Sequence, residues 1–342
     1  MRAYRILKWK GGGKFIHNME KPSPDYGEVL LKVVANGICQ SDLHLMYHWE
    51  ASPPHLKINL PMTIGHEIAG YVEEIGKGVK GIEKGMNCVV TISGCGNCYY
   101  CVKGFNNYCP FKPAQPGMGR DGGLADYVVA QAESIVPIED VDLCKAAPLT
   151  DAGLSSYHAI KRVKELLYPG ANTVVIGVGG LGHMAVMILK ALYKVNVIAV
   201  DISEKALNLA KELGADFVFE FRKNSFENIK NAVGKRDIHS VFDFVGSGET
   251  ISLAARIISS LGHIVVVGRG DGVFHFKHNS MPYGAFLSTT FGGTKGELVE
   301  LINLLKMGAI EPVIEKYQLN EVELAFEKLK KGEVKGRAVI KV

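Results

Sequence analysis

Four cysteines, Cys95, Cys98, Cys101 and Cys109, fall in a C-x2-C-x2-C-x7-C run. Four thiolates this close in sequence can wrap one tetrahedral Zn²⁺ and leave no position for a substrate. The run therefore predicts a metal-pinned lobe, not a reactive centre. Two other readings compete. A disulfide framework suits small secreted domains, not a chain of 342 residues with seven cysteines. An iron–sulfur cluster is the sharper rival, because Pro110 follows Cys109 as in bacterial ferredoxin runs. Those runs place three residues before the last cysteine, and here there are seven.

A different pairing lies upstream. Cys39 sits in Gly37-Ile38-Cys39-Gln40-Ser41-Asp42-Leu43-His44, and His66 in Ile64-Gly65-His66-Glu67-Ile68. A thiolate and an imidazole are ligands that zinc accepts readily. Three protein ligands and one exchangeable position define a catalytic zinc, and spacing alone does not identify the third. Downstream, Gly177-Val178-Gly179-Gly180-Leu181-Gly182 matches G-x-G-x-x-G through Gly177, Gly179 and Gly182. Gly177 allows a tight turn, Gly179 lets a pyrophosphate approach the backbone, and Gly182 lets a helix pack near a strand. The helix N-terminus then offers free N–H groups to phosphate. Asp201 follows where a carboxylate accepts the two ribose hydroxyls of the adenosine and repels a 2′-phosphate, so NAD is expected over NADP. Arg222 and Lys223 are bases that could soften that choice.

The elements that must position these residues change character along the chain. Up to about residue 150, short strands are divided by glycine and proline, for example at 28–34, 68–75 and 87–91. Close turn signals with few helical periods predict a compact β-rich domain. Beyond about residue 155, strands alternate with helices: strands at 173–176, 196–200, 218–219, 240–245 and 263–267, and a helix over 205–213 that stops at Gly214. That rhythm predicts a parallel sheet with helices on both faces. A helix over 297–307 and a strand over 337–342 close the chain, and no repeat or low-complexity tract interrupts it.

Composition sets the class. Hydrophobic residues make up 47% and charged residues 22%, with a formal net charge of +4. These values describe an ordinary globular protein with no call for nucleic acid or a membrane surface. The first residues show no apolar signal core, and the apolar stretch 174–192 is broken by glycines, His183 and Lys190, which argues against a spanning helix. A cytoplasmic location with reduced thiols is expected. Cys88 and Cys144 lack ligand-like neighbours and read as buried core thiols.

Taken in order, the Cys39 segment, Gly65-His66-Glu67, the four-cysteine lobe, Gly122-Gly123-Leu124-Ala125-Asp126-Tyr127, the Rossmann glycines and Gly336-Arg337 resemble a zinc-containing medium-chain alcohol dehydrogenase over essentially the whole length. The bacterial and archaeal tetrameric members are nearest in character. The resemblance implies an α/β protein with a GroES-like β-rich catalytic domain over 1–150 and 290–342 and a doubly wound Rossmann NAD-binding domain over 151–289. It implies two zinc ions per chain, one catalytic and one structural, with NAD as cofactor and a homotetrameric assembly. The reaction implied is interconversion of an alcohol with an aldehyde or ketone by hydride transfer in the cleft between domains. A polyol, sugar or threonine dehydrogenase on the same scaffold is the alternative. A zinc-independent quinone or enoyl reductase would lack the open-site ligands and the cysteine lobe.

The family places the third catalytic-zinc ligand just after an Ala-Ala-Pro-Leu stretch, which here leads to Asp151. Many relatives carry cysteine there and some aspartate; a helix N-cap is the plainer reading of the same residue. Glu67 is implied as a neighbour of the metal that supports its ligands or enters transiently. Ser41 and His44 are implied as the relay that takes the alcohol proton to water, with a hydrogen-bonded helix histidine as the plainer reading of His44. Arg337 resembles the family's late base that pairs with the pyrophosphate, and a surface arginine is its plainer reading. Gly180 and Leu181 fall within the phosphate loop, and Lys205 near the adenosine ribose, one position closer to the acidic residue than in many relatives. Trp49, His48 and Leu287 are candidates for the substrate channel, with core or loop roles as the default.

Overall fold

The computed structural model describes residues 1–53, 56 and 58–342. Two units emerge, the first made of Met1–Asp151 and Gly293–Val342 and the second of Ala152–Gly292. The division falls one peptide bond after Asp151, which stays with Cys39 and His66.

The first unit is organised on one strand, Glu28–Gly37. It is buried along almost its entire length because it has neighbours on both sides. Glu67–Ile75 pairs with it antiparallel, and Arg337–Lys341 pairs with it antiparallel on the opposite edge. Arg337–Lys341 also runs parallel to Ile314–Gln318, so a late segment completes a sheet begun near residue 28. Val29, Leu31 and Val33 turn one face of the strand into a core with Ile68, Val72, Val90 and Ile135. Each such burial is worth about 1.5–3 kcal/mol against exposure. Cys88 joins that core and Cys144 is also buried, as expected of thiols without ligand-like neighbours.

The second unit is a parallel sheet in the order Phe217–Glu220, Asn196–Asp201, Asn172–Ile176, Ile238–Asp243, His263–Val266, Phe286–Thr289. The two central strands Asn172–Ile176 and Ile238–Asp243 are buried almost throughout, as sheets covered on both faces require. Connections leave Asn172–Ile176 in opposite directions, which opens a crevice at the carboxyl ends of the central strands. The helix expected over 205–213 spans Glu204–Glu212, starts on a Ser203 side-chain cap and stops before Gly214 at φ +92. The strand expected over 240–245 ends at Asp243 instead. There the Asp243 carboxylate accepts the N–H groups of Val245 and Gly246 at 2.9 and 3.0 Å, and Gly246 turns the chain at φ +74. The 174–192 stretch resolves into strand, glycine turn and helix, and among the described residues no helix is long and apolar enough to cross a membrane.

Candidate metal centres and cofactor loop

Strand register builds the open site. Gly37 lies opposite Glu67 in the antiparallel ladder, so Cys39, two residues past one strand, and His66, one residue before the other, reach the same end of the sheet. Asp151 arrives from the short turn Ala147–Thr150, whose Pro148 stands at its start. Its Oδ2 lies 3.4 Å from Cys39 Sγ and 3.5 Å from His66 Nε2. Zinc bonds of about 2.0–2.3 Å at tetrahedral angles place such donors about 3.4–3.6 Å apart, so the three atoms fit a shared Zn²⁺. The donor set of thiolate, imidazole and carboxylate suits that ion as well.

The electrostatics agree. Burial disfavours a charged His66, yet Asp42, Asp151 and Cys39 outweigh it and hold the ring well above the ordinary imidazole value. Burial pushes the Asp151 carboxyl up, but His66 and Arg337 more than reverse this and leave it below the usual carboxylate range. Such surroundings favour positive charge between the donors. Asp42 was not foreseen in this role. Fully buried, it accepts the Cys39 backbone N–H at 2.8 Å and stands 3.3 Å from His66 Nδ1. A carboxylate behind a ligating histidine fixes its tautomer and ring orientation. The signal was present as an acidic residue three positions after Cys39, placed to cap the helix Gln40–Leu43.

Glu67 stands beside this site, fully buried, its carboxyl pushed up to about 7 by burial and by Asp151 while Arg337 opposes the shift. Arg337 is not a surface residue: at 2% exposure it donates to both Glu67 oxygens, from Nε at 3.0 Å and from Nη2 at 2.6 Å. Gly37 makes room for this pair, because a Cβ there would lie 1.8 Å from Glu67 Oε2. Ser41 Oγ is 3.6 Å from Cys39 Sγ, and His44 follows at helical i+3 spacing on the same face, its ring 4.8 Å from that of His48. His48 is exposed, and Trp49 packs on the core around Leu45 and Met46. Leu287 is 38% exposed on the edge strand of the second unit.

The cysteine lobe is closed. Cys98 Sγ lies 3.6 Å from Cys101 Sγ and 3.7 Å from Cys109 Sγ. Tetrahedral Zn–S bonds of about 2.3 Å predict sulfur pairs about 3.8 Å apart. Backbone N–H groups of Asn97 and Cys98 lower the Cys95 thiol to about 7, whereas burial and the neighbouring sulfurs push Cys101 up to about 12. Four thiolates share so small a space only around a cation. All four ligand atoms here, and all three in the open site, lie within 4.8 Å of one another.

In the second unit, Gly177 takes φ +82 and a Cβ on Gly182 would meet the Gly177 carbonyl oxygen at 1.9 Å, so the tight turn and the close helix need glycine. A Cβ on Gly179 would meet nothing within 4 Å, which leaves that side of the turn open to a ligand. Gly180 and Leu181 lead into the helix Gly182–Leu192. Asp201 ends its strand with Oδ2 accepting Val178 N–H at 2.6 Å and Oδ1 accepting Ser203 N–H at 2.8 Å, so it borders the glycine turn. Lys205 is exposed in the first turn of the next helix. Open glycine, helix N-terminus and bordering carboxylate fit a dinucleotide.

Two such metal sites and a Rossmann sheet in one chain define a zinc- and dinucleotide-dependent dehydrogenase. Comparison with known proteins agrees. The family model for the alcohol dehydrogenase GroES-like domain matches residues 25–140, and that for zinc-binding dehydrogenases matches residues 180–306. The chain is 35% identical to an NAD-dependent alcohol dehydrogenase of Sulfolobus acidocaldarius, with 100% of both chains covered. It is 33% identical to an alcohol dehydrogenase of Geobacillus stearothermophilus, covering 96% of this chain and 95% of that one. A crystal structure of the alcohol dehydrogenase from the hyperthermophilic archaeon Aeropyrum pernix superposes with a TM-score of 0.90 at 32% identity, over 100% of both chains. The protein belongs to the zinc-containing medium-chain alcohol dehydrogenase family.

Proposed function

We propose that the protein interconverts alcohols with aldehydes or ketones, using NAD and one zinc at Cys39, His66 and Asp151, with a second zinc in the cysteine lobe. The observation that carries this reading is the three-donor set with Asp151 Oδ2 at 3.4 and 3.5 Å from its partners. Zinc there supplies a Lewis acid for the substrate oxygen, and NAD supplies the hydride acceptor. The chain's own residues do the rest. Cys39 and Asp151 bring two negative charges that balance the ion, and Asp42 keeps His66 oriented. Ser41, next to Cys39, accepts the proton of the alcohol, and His44 hands it toward water. Glu67 and the buried Arg337 support the ligands from behind, and Arg337's hold on Glu67 and Asp151 stands in place of the expected pyrophosphate contact. Asp201 receives the ribose hydroxyls and disfavours NADP, with Lys205 at the outer edge of that subsite.

A panel of primary, secondary and sugar alcohols with NAD and NADP tests the reading, run beside elemental analysis. Cys39→Ser should keep NADH affinity, lose turnover and drop from two zinc ions per chain to one. Full activity in that variant would dismiss the catalytic site. A higher kcat/KM with NADP would overturn the role of Asp201.

Homotetramer is the assembly we propose. The edge strand Phe286–Thr289 exposes Phe286 at 58% and neighbours Tyr283 at 75%, while the cysteine lobe exposes Tyr99 at 72% and Phe111 at 71%. A tetramer of D2 symmetry needs two distinct self-complementary surfaces, and these are two apolar candidates. Light scattering that returns a monomer would refute it. Thiols employed as ligands support a reducing, cytoplasmic location, which fractionation of the producing cell checks.

A further inference from the structure

Two buried polar side chains lie beneath the glycine turn, and neither belongs to the fingerprint. His183, with no exposed surface, sits in the first turn of Gly182–Leu192. Its Nδ1 is 2.9 Å from the Gly179 carbonyl oxygen. A carbonyl only accepts, so Nδ1 carries the proton and donates. The His183 backbone N–H donates to the same oxygen at 3.1 Å. Ser156, also fully buried on Ala152–Lys161, places Oγ 2.9 Å from the Leu181 carbonyl oxygen and 2.8 Å from that of Ala152. An aliphatic side chain would fill either space with no polar atom to satisfy.

The geometry of the peptide gives these contacts a purpose. In a trans peptide the carbonyl of one residue and the N–H of the next point in opposite directions. Drawing the Gly179 oxygen down into the helix therefore aims the Gly180 N–H outward, on the side where Gly179 leaves open space. The Leu181 oxygen accepts the Ala185 N–H at 3.1 Å and Ser156 Oγ adds a second hold at 2.9 Å, which does the same for the Gly182 N–H. Glycines resist such fixation, because they lose more backbone freedom than any other residue. A glycine turn that must present N–H groups to an anion thus benefits from being bolted from behind, since the ordering is then complete before the ligand arrives.

We propose that His183 is a positioning residue for the dinucleotide pyrophosphate, orienting the Gly179–Gly180 peptide, and that Ser156 is a second bolt acting on Leu181–Gly182. The proposal rests on the NAD reading above. Its test uses zinc-loaded protein titrated with NADH, with ADP-ribose (which keeps the diphosphate) and with adenosine (which lacks it). His183→Phe fills the space without a donor, whereas His183→Asn keeps an N–H near Nδ1. Loss of one hydrogen bond that organises a charged ligand predicts about tenfold weaker binding of NADH and ADP-ribose in His183→Phe. Adenosine should bind as in the unaltered chain, KM for NAD should rise more than kcat falls, and His183→Asn should recover most of the loss. Ser156→Ala should show the same selectivity for diphosphate ligands and stands in if His183→Phe does not fold. Equal NADH affinity in His183→Phe, or His183→Asn as impaired as His183→Phe, overturns the proposal. An unaltered chain that binds no dinucleotide overturns the cofactor reading itself, and its own titration separates the two cases.

Discussion

Arg337 grips Glu67 with two nitrogens, and the same Nη2 reaches Asp151 Oδ2 at 3.4 Å, the oxygen that faces Cys39 and His66. One guanidinium therefore braces two carboxylates, one a candidate zinc ligand and the other its neighbour. Removing it takes a two-nitrogen counter-charge away from a buried carboxylate. Arg337→Ala should lose about 3–5 kcal/mol in urea unfolding of the zinc-loaded protein. Replacing both partners, Glu67→Gln with Arg337→Met, should cost less than the single change. A double variant weaker than Arg337→Ala would mean that packing, not charge, governs the pair.

Gly37→Ala addresses the same pair from below. The added methyl would lie 1.8 Å from Glu67 Oε2, so the carboxylate must move out of its place on Arg337. Overpacking of this kind costs about 1–3 kcal/mol. Turnover should fall together with stability; an alanine variant that matches the parent in both would show that the strand shifts freely.

Asp42→Asn keeps the size of the side chain and removes its charge behind His66. Loss of such an outer partner typically weakens metal affinity or activity about 10–100-fold. Competition with a chelator, followed by zinc analysis, reads this directly. Retention identical to that of the parent chain would remove Asp42 from the site.

Zinc removal from the cysteine lobe should melt that lobe first. Its side chains bury little: Tyr99 is 72% exposed, Val102 74% and Phe111 71%. With so small a core, the metal is the main cross-link. Chelation should open cleavage sites between Cys95 and Cys109 in limited proteolysis, while NADH binding in the second unit persists. An unchanged cleavage pattern would show that the lobe stands without metal.

Local patterns made most of the fold legible. The cysteine run, the strand–glycine–helix with Asp201, and the central strands could be read directly because each is contained within a few tens of residues. The strand at Phe286–Thr289 was not foreseen, since four residues carry too little pattern. Nor was the partner of Arg337. Gly336-Arg337 is recognisable as a motif, but the contact with Glu67 spans 270 positions and arises only when two strands flank Glu28–Gly37. Asp151 needed the family resemblance, because it lies 112 positions from Cys39 and nothing around it marks a ligand. Asp42 was hidden for the opposite reason: so near Cys39, it resembles an ordinary helix cap.

The placement of Arg337–Lys341 beside Glu28–Gly37 also sets an order of assembly on the ribosome. The second unit is contiguous and can collapse as soon as it emerges. In the first, Tyr127–Gln131 can pair early with residues 28–32, but the Ala35–Gly37 end of that strand must wait, with Glu67 lacking its Arg337 partner, until 270 further residues have been translated. Emergence of Arg337–Lys341, not the appearance of Cys39 and His66, is therefore the moment at which the first unit can mature.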